Sequence, residues 1–228
     1  VAEFVDYPSP NHGERNPPAP PKLVILHYTG MKDGPSALQR LCDPASKVSA
    51  HYLVEEDGRI FRLVPEDRRA WHAGKSCWQG IEDINSCSIG IEVVNPGHEW
   101  GYRLFPLPQM QAVLGLCREI KNRYKLPASA FLAHSDIAPL RKEDPGELFD
   151  WEMLAKEGIG LGVDISGQPE VEMSVEEAAQ KLQSFGYMPF DKLVFSKVLA
   201  AFQRHFVRQH VTGELDSLTK KALRALCG

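Results

Sequence analysis

A chain of 228 residues has room for one large domain, or a large one with a small companion, but not for three. Its 43% hydrophobic and 25% charged content exclude a disordered or fibrous protein, and a net charge of −4 with a pI near 6.1 offers no general cationic surface for nucleic acid or anionic lipid. No apolar run approaches the ~18 residues of a membrane-spanning helix. The opening Val1-Ala2-Glu3-Phe4 has neither an initiator Met nor a basic, apolar leader, so it reads as a trimmed product. Residues 1–22 carry Pro8, Pro10, Pro17, Pro18, Pro20 and Pro21 and are expected to form an extended surface arm outside any helix or ladder.

A larger unit spans residues 23–157. Leu23-Val24-Ile25-Leu26 is a continuous apolar run, as in a strand covered on both faces. A short helix is expected around Ser36–Leu41. Tyr52-Leu53-Val54 and Ile60–Val64 then flank Asp57-Gly58, a hairpin signal. Ser88–Val94 reads as another buried strand. Pro108–Tyr124 has Met110, Val113, Leu116, Cys117 and Ile120 at helical spacing, and Phe131-Leu132-Ala133 is a last short strand. Together these predict an α/β fold with a mixed central β-sheet flanked by helices. Residues 158–173 are glycine-rich, lack periodicity and read as a linker. In residues 174–228, Ser174 with Glu177 opens one helix that ends at Gly186. Phe195, Val198, Leu199, Phe202 and Phe206 stripe a second, and a third follows Asp216. The result is a small three-helix bundle.

Chemistry concentrates at the ends of the apolar runs. His27 follows Leu26 and His134 follows Ala133, both at the rim of a sheet, where α/β sites lie. Asp144 precedes Pro145-Gly146, a turn able to aim its carboxylate back at the strand ends. Two imidazoles and a carboxylate suit a catalytic zinc with one position left for water, although the same donors serve non-haem iron. Glu92 lies in the strand Ser88–Val94, where a carboxylate is costly unless paired, coordinated or used, and Gly90 leaves open space on the same face. Lys142 could bring an ammonium to this pocket. The five cysteines, an odd number, contain no C-x-x-C; Cys77 and Cys87 could bridge one loop, and Cys117 reads as a buried thiol.

Several short stretches carry a resemblance: Leu26-His27-Tyr28-Thr29, Ser49-Ala50-His51-Tyr52, Ala70-Trp71-His72-Ala73-Gly74, Ser88-Ile89-Gly90-Ile91-Glu92, His134-Ser135-Asp136 and Lys142-Glu143-Asp144-Pro145-Gly146. In this order, over roughly residues 20–157, the chain is similar to the zinc-dependent N-acetylmuramoyl-L-alanine amidases. It most resembles the type 2 amidases, which share a fold with peptidoglycan recognition proteins. The resemblance implies one catalytic Zn²⁺ on His27, His134 and Asp144, with Glu92 as proton carrier and Lys142 as oxyanion partner. It also implies a peptidoglycan or muropeptide substrate. Tyr28, Arg69, Trp71, His72 and Asn95 are expected to contact it, the arginine at stem-peptide carboxylates. The C-terminal bundle resembles a peptidoglycan-binding domain, implying a flexibly tethered wall anchor, a periplasmic or cell-envelope location and no nucleic-acid partner. A monomer is expected. The rival reading is a recognition module that binds muropeptides without cleaving them; the presence of all five catalytic-type residues favours the enzyme.

Overall fold

The computed structural model describes residues 4–227. Two short strands, β1 (Phe4–Asp6) and β2 (His12–Glu14), precede the apolar β3 (Leu23–Tyr28). Next comes α1 (Gly34–Cys42), whose N-cap Asp33 accepts from the Ser36 N–H at 2.8 Å. The expected hairpin is β4 (Tyr52–Val54) with β5 (Ile60–Arg62), and Gly58, at φ +92°, takes the left-handed position in its turn. The chain continues through β6 (Arg68–Ala70), α2 (Ile84–Cys87), β7 (Ser88–Val93), α3 (Gly97–Trp100) and the long α4 (Leu107–Tyr124). Then come β8 (Phe131–Ala133), α5 (His134–Ile137) and α6 (Trp151–Ala155), followed by α7 (Val175–Phe185), α8 (Phe195–Phe206) and α9 (Ser217–Cys227).

The main sheet has the order β1-β5-β4-β7-β3-β8; only the β4–β5 pair is antiparallel, so the sheet is mixed. Its central strands β7 and β3 are paired on both sides and covered on both faces, which is why their sequences run almost continuously apolar. On one face α4 buries Met110, Val113, Leu116 and Ile120 beside Tyr52 and Val54. On the other, Leu53 joins Phe61 and Leu63 against Ala37, Leu38 and Leu41 of α1. Strand alternation divides the two cores.

Residues 1–3 lie outside the described residues, and from Phe4 onward the N-terminal segment is not a free arm. β1 pairs in parallel with β5, and β2 pairs antiparallel with β6. The prolines fall between these stretches, so the residues that need backbone donors keep them. Polar side chains tie the segment down further. Ser9 Oγ donates to Leu41 O at 2.6 Å and Asn11 Nδ2 to Asp43 O at 2.8 Å. The buried Arg15 guanidinium donates to Glu66 O at 2.9 Å, Ser88 O at 3.0 Å and Ser86 O at 3.2 Å. Arg15→Ala leaves several buried carbonyls without partners at ~1–3 kcal/mol each, so a loss of about 3 kcal/mol is expected in chemical denaturation.

The C-terminal helices pack on the sheet domain. In the connecting segment Ile159, Val171 and Met173 are buried, so it is no loose tether. Trp78 and Tyr187 form an isolated β-bridge, and a Cβ at Gly186 would lie 2.6 Å from the Trp78 ring. Ser174 caps α7 as expected, accepting from the Glu177 N–H at 3.1 Å, and Asp216 caps α9 through the Thr219 N–H at 2.8 Å. All five cysteines are free thiols, so the Cys77–Cys87 bridge is absent. Cys117 is fully buried, and burial pushes its thiol well up from its ordinary value.

Candidate active site

Three adjacent strands deliver three functional side chains to one rim. In the parallel register His27 lies opposite Glu92, and Leu26 opposite Ala133, the residue before His134. Register partners on parallel strands point to the same face, so His27 and Glu92 look into one space. Asp144 arrives from the loop after α5, its backbone oxygen accepting from the Ser135 N–H at 2.9 Å.

His27 Nδ1, His134 Nδ1 and Asp144 Oδ2 converge: 2.8 Å between the two nitrogens, and 3.1 and 2.9 Å from each to the carboxylate. All three residues are buried. Beyond them the hydrogen-bond network sets the tautomers. Ser88 Oγ donates its proton to Ile84 O at 2.7 Å, so it accepts from His72 Nε2 at 3.1 Å. His72 Nδ1 is then a lone pair and accepts from His27 Nε2 at 3.0 Å. His134 Nε2 donates to Ala73 O at 3.1 Å. Both ligand-type imidazoles therefore turn a bare Nδ1 towards the same point. Burial, with the nearby His134, pushes His27 down to about 4, so it is neutral at pH 7. Two lone-pair nitrogens at 2.8 Å beside an ionised carboxylate repel unless a cation sits among them. The donor set and its outer partners therefore fit a divalent metal ion held by two nitrogens and one oxygen.

A cavity of about 170 Å³ opens at this point, lined among others by Glu92, Lys142, Tyr28, Trp71 and His72. Glu92 Oε2 is buried with no hydrogen-bond partner. Burial first, and the Asp144 carboxylate second, hold its pKa well above the usual range, with Lys142 pulling the other way. A second, larger cleft of about 820 Å³ continues outward past Tyr28, Trp100, Arg141 and Lys142 to Lys197 and Arg204 of α8.

His27, His134, Asp144, Glu92 and Lys142 are thus brought together, and Tyr28 and Trp71 line the cavity. His72 is displaced from its expected role, since both ring nitrogens are engaged behind His27. The open space expected beside Gly90 is filled by His72, whose ring would lie 2.4 Å from a Cβ at that position. Two of the expected substrate contacts lie outside both cavities. Arg69 is bound to Asp83 at 2.8 Å and Ser86 at 3.0 Å. Asn95 is fully buried, its amide spent on Arg103 O at 2.8 Å and the Gly97 N–H at 3.0 Å. Sequence reasoning missed Ser88 and Arg141; the guanidinium of Arg141 holds Ala73 O and, at 3.0 Å, Lys75 O. No local signal marks either.

Metal-capable donors at the strand ends beside a buried carboxyl oxygen without a partner suit a site for amide or ester hydrolysis. The chain belongs to the N-acetylmuramoyl-L-alanine amidase family, whose profile matches residues 17–147, and hydrolyses the amide between N-acetylmuramic acid and L-alanine. It is 36% identical over 231 residues to the N-acetylmuramoyl-L-alanine amidase AmiD of Escherichia coli, covering 90% of this chain and 82% of that protein. It is 33% identical to the 1,6-anhydro-N-acetylmuramyl-L-alanine amidase AmpD of Citrobacter freundii, over 66% of this chain and 88% of that one. Among solved structures, AmiD in complex with the substrate anhydro-N-acetylmuramic acid-L-Ala-D-γ-Glu-L-Lys superposes with a TM-score of 0.82 at 35% identity, covering 91% of this chain and 89% of that chain. AmpDh3 of Pseudomonas aeruginosa in complex with anhydromuramic pentapeptide gives 0.81 at 31% identity, covering 91% of each. Membership in a catalytic family excludes the reading as a recognition module without activity.

Proposed function

We propose that the chain is a zinc amidase acting on muropeptides, anhydro forms included, with His27, His134 and Asp144 as the metal ligands. The observation that carries this is the convergence of three buried donor atoms beside the partnerless carboxyl of Glu92. When bound, zinc acidifies a water molecule and polarises the scissile carbonyl. Glu92 accepts a proton at Oε2 and returns it to the leaving amine of L-alanine. Lys142 faces the same cavity and offers its ammonium to the oxygen on which negative charge develops. Tyr28 and Trp71 present ring faces to the sugar and lactyl group. His72 orients His27 and has no ring nitrogen left to bind substrate.

The charge of the outer cleft supports the same substrate. Arg40, Lys142 and Lys197 line it with no ion-pair partner among the described residues, in a chain of net charge −4. A γ-linked glutamate in a stem peptide keeps its α-carboxylate free, which this wall suits. All five proposed groups come from one chain, so a monomer is a complete enzyme. A peptidoglycan substrate favours action in the periplasm or envelope. No described helix is long and apolar enough to cross a membrane. The test is digestion of purified sacculi and of an anhydromuropeptide, with and without a chelator, followed by mass spectrometry. Free stem peptides beginning with L-alanine are expected only without chelator, and zinc should restore activity. Chelator-resistant release would remove the metal from the reaction.

A further inference from the structure

Asp136 lies two residues beyond the proposed ligand His134 and is almost fully buried. Its carboxylate accepts from three donors: the Ala133 N–H at 2.8 Å, His205 Nδ1 at 2.7 Å and the Tyr187 hydroxyl at 2.7 Å. The first bond closes a turn, Ala133 to Asp136, with His134 inside it. Ser135, in the same turn, donates its N–H to Asp144 O, so the backbone of a second ligand hangs from it. The other two donors belong to the C-terminal helical unit, 51 and 69 residues further along the chain.

Both are held rigidly. The His205 ring is stacked at 3.8 Å on Trp151 and at 4.0 Å on Phe206, and Tyr187 packs edge-on to Trp78 at 5.2 Å. Burial and the neighbouring carboxylate hold the Tyr187 phenol well above its ordinary value, so it remains a donor. Asp136 touches neither cavity and has no part in the proposed chemistry. A buried carboxylate that serves only to join two domains could sit anywhere on the interface. This one closes the turn that carries a metal ligand.

Resting on the metal reading above, we propose that the C-terminal helical unit is part of the catalytic apparatus. In this role Tyr187 and His205 are positioning residues that act through Asp136 on the turn presenting His134 and on the backbone of Asp144. The unit's contribution to the site is therefore stiffness at the metal, in addition to its cleft wall. A solved AmpD covers only 68% of this chain but matches over 93% of its own length, so the amidase sheet exists without such a unit. The dependence is a property of this two-part architecture.

The test uses the full chain loaded with zinc. Tyr187→Phe removes one hydroxyl and keeps the ring; His205→Ala removes the other donor; His205→Asn returns an N–H near the position of Nδ1. Zinc affinity is read by competition with a chromophoric chelator, and ligand geometry by the visible spectrum of the cobalt-substituted protein. Tyr187→Phe and His205→Ala are each expected to weaken zinc binding about 10-fold, as loss of an outer partner does at metal sites, and to alter the cobalt spectrum. His205→Asn should recover most of both. Wild-type zinc affinity and cobalt spectrum in folded Tyr187→Phe and His205→Ala overturn the proposal, leaving the network as a joint between domains. If His205→Ala does not fold, an unchanged Tyr187→Phe overturns it by itself. A wild-type chain that takes up no zinc overturns this proposal together with the metal reading, whereas unaffected variants of a zinc-binding chain overturn this one alone.

Discussion

Glu92→Gln is expected to lower kcat by about 10²–10⁴-fold, the usual contribution of a positioned proton carrier. The replacement keeps shape and reach but cannot take up a proton as a carboxylate does. Zinc content, read by elemental analysis, should match wild type, because Glu92 lies outside the three-atom cluster. Stability should not fall. A carboxyl whose pKa is raised on folding makes a contribution that is fully present below its ordinary value of 4.5 and is lost as pH rises through the folded value. At neutral pH the buried carboxyl is therefore a net cost, which the amide relieves. Loss of zinc in the variant would make Glu92 a ligand or a support for one. Full turnover with zinc retained would move the proton carrier elsewhere.

His134→Ala should abolish both metal retention and turnover. It removes one of the three clustered donor atoms, and it also leaves Ala73 O without its imidazole donor. The chain should nevertheless fold, since the sheet has its own core; a zinc finger, by contrast, collapses without its metal. The wild type should melt higher with zinc than with chelator, by an amount that grows as free zinc exceeds Kd and reaches ~2.7 kcal/mol at a 100-fold excess. That increment should vanish in His134→Ala. Near-stoichiometric zinc in the variant would sink the ligand assignment.

Local pattern carried the larger elements. Apolar runs marked β3, β7 and β8, helical spacing marked α4 and α8, and Asp57-Gly58 marked the hairpin. The proposed ligand set is not local. His27 and His134 are 107 residues apart; their strand-end positions suggested the set, and the resemblance of several ordered motifs singled it out. β1 and β2 were hidden because three residues among prolines show no usable period. Asn95 was legible in principle: Asn95-Pro96-Gly97 is the composition of a turn in which the side chain caps its own backbone, which is what the Gly97 N–H bond does. Gly90 misled because an absent side chain reveals space without saying who fills it. The joint at Asp136 left no trace, since a buried Tyr, His and Asp look, one at a time, like ordinary surface or packing residues.

The bonds behind His27 also constrain where protons can travel. From its ring the path runs to His72, on to Ser88 and ends at Ile84 O, a peptide oxygen with no capacity to carry a proton away. Such a path is closed at its inner end, so it behaves as a latch and not as a wire. A proton released during amide cleavage cannot drain along this chain. On the cavity side of His27, the group with an unpartnered oxygen is Glu92.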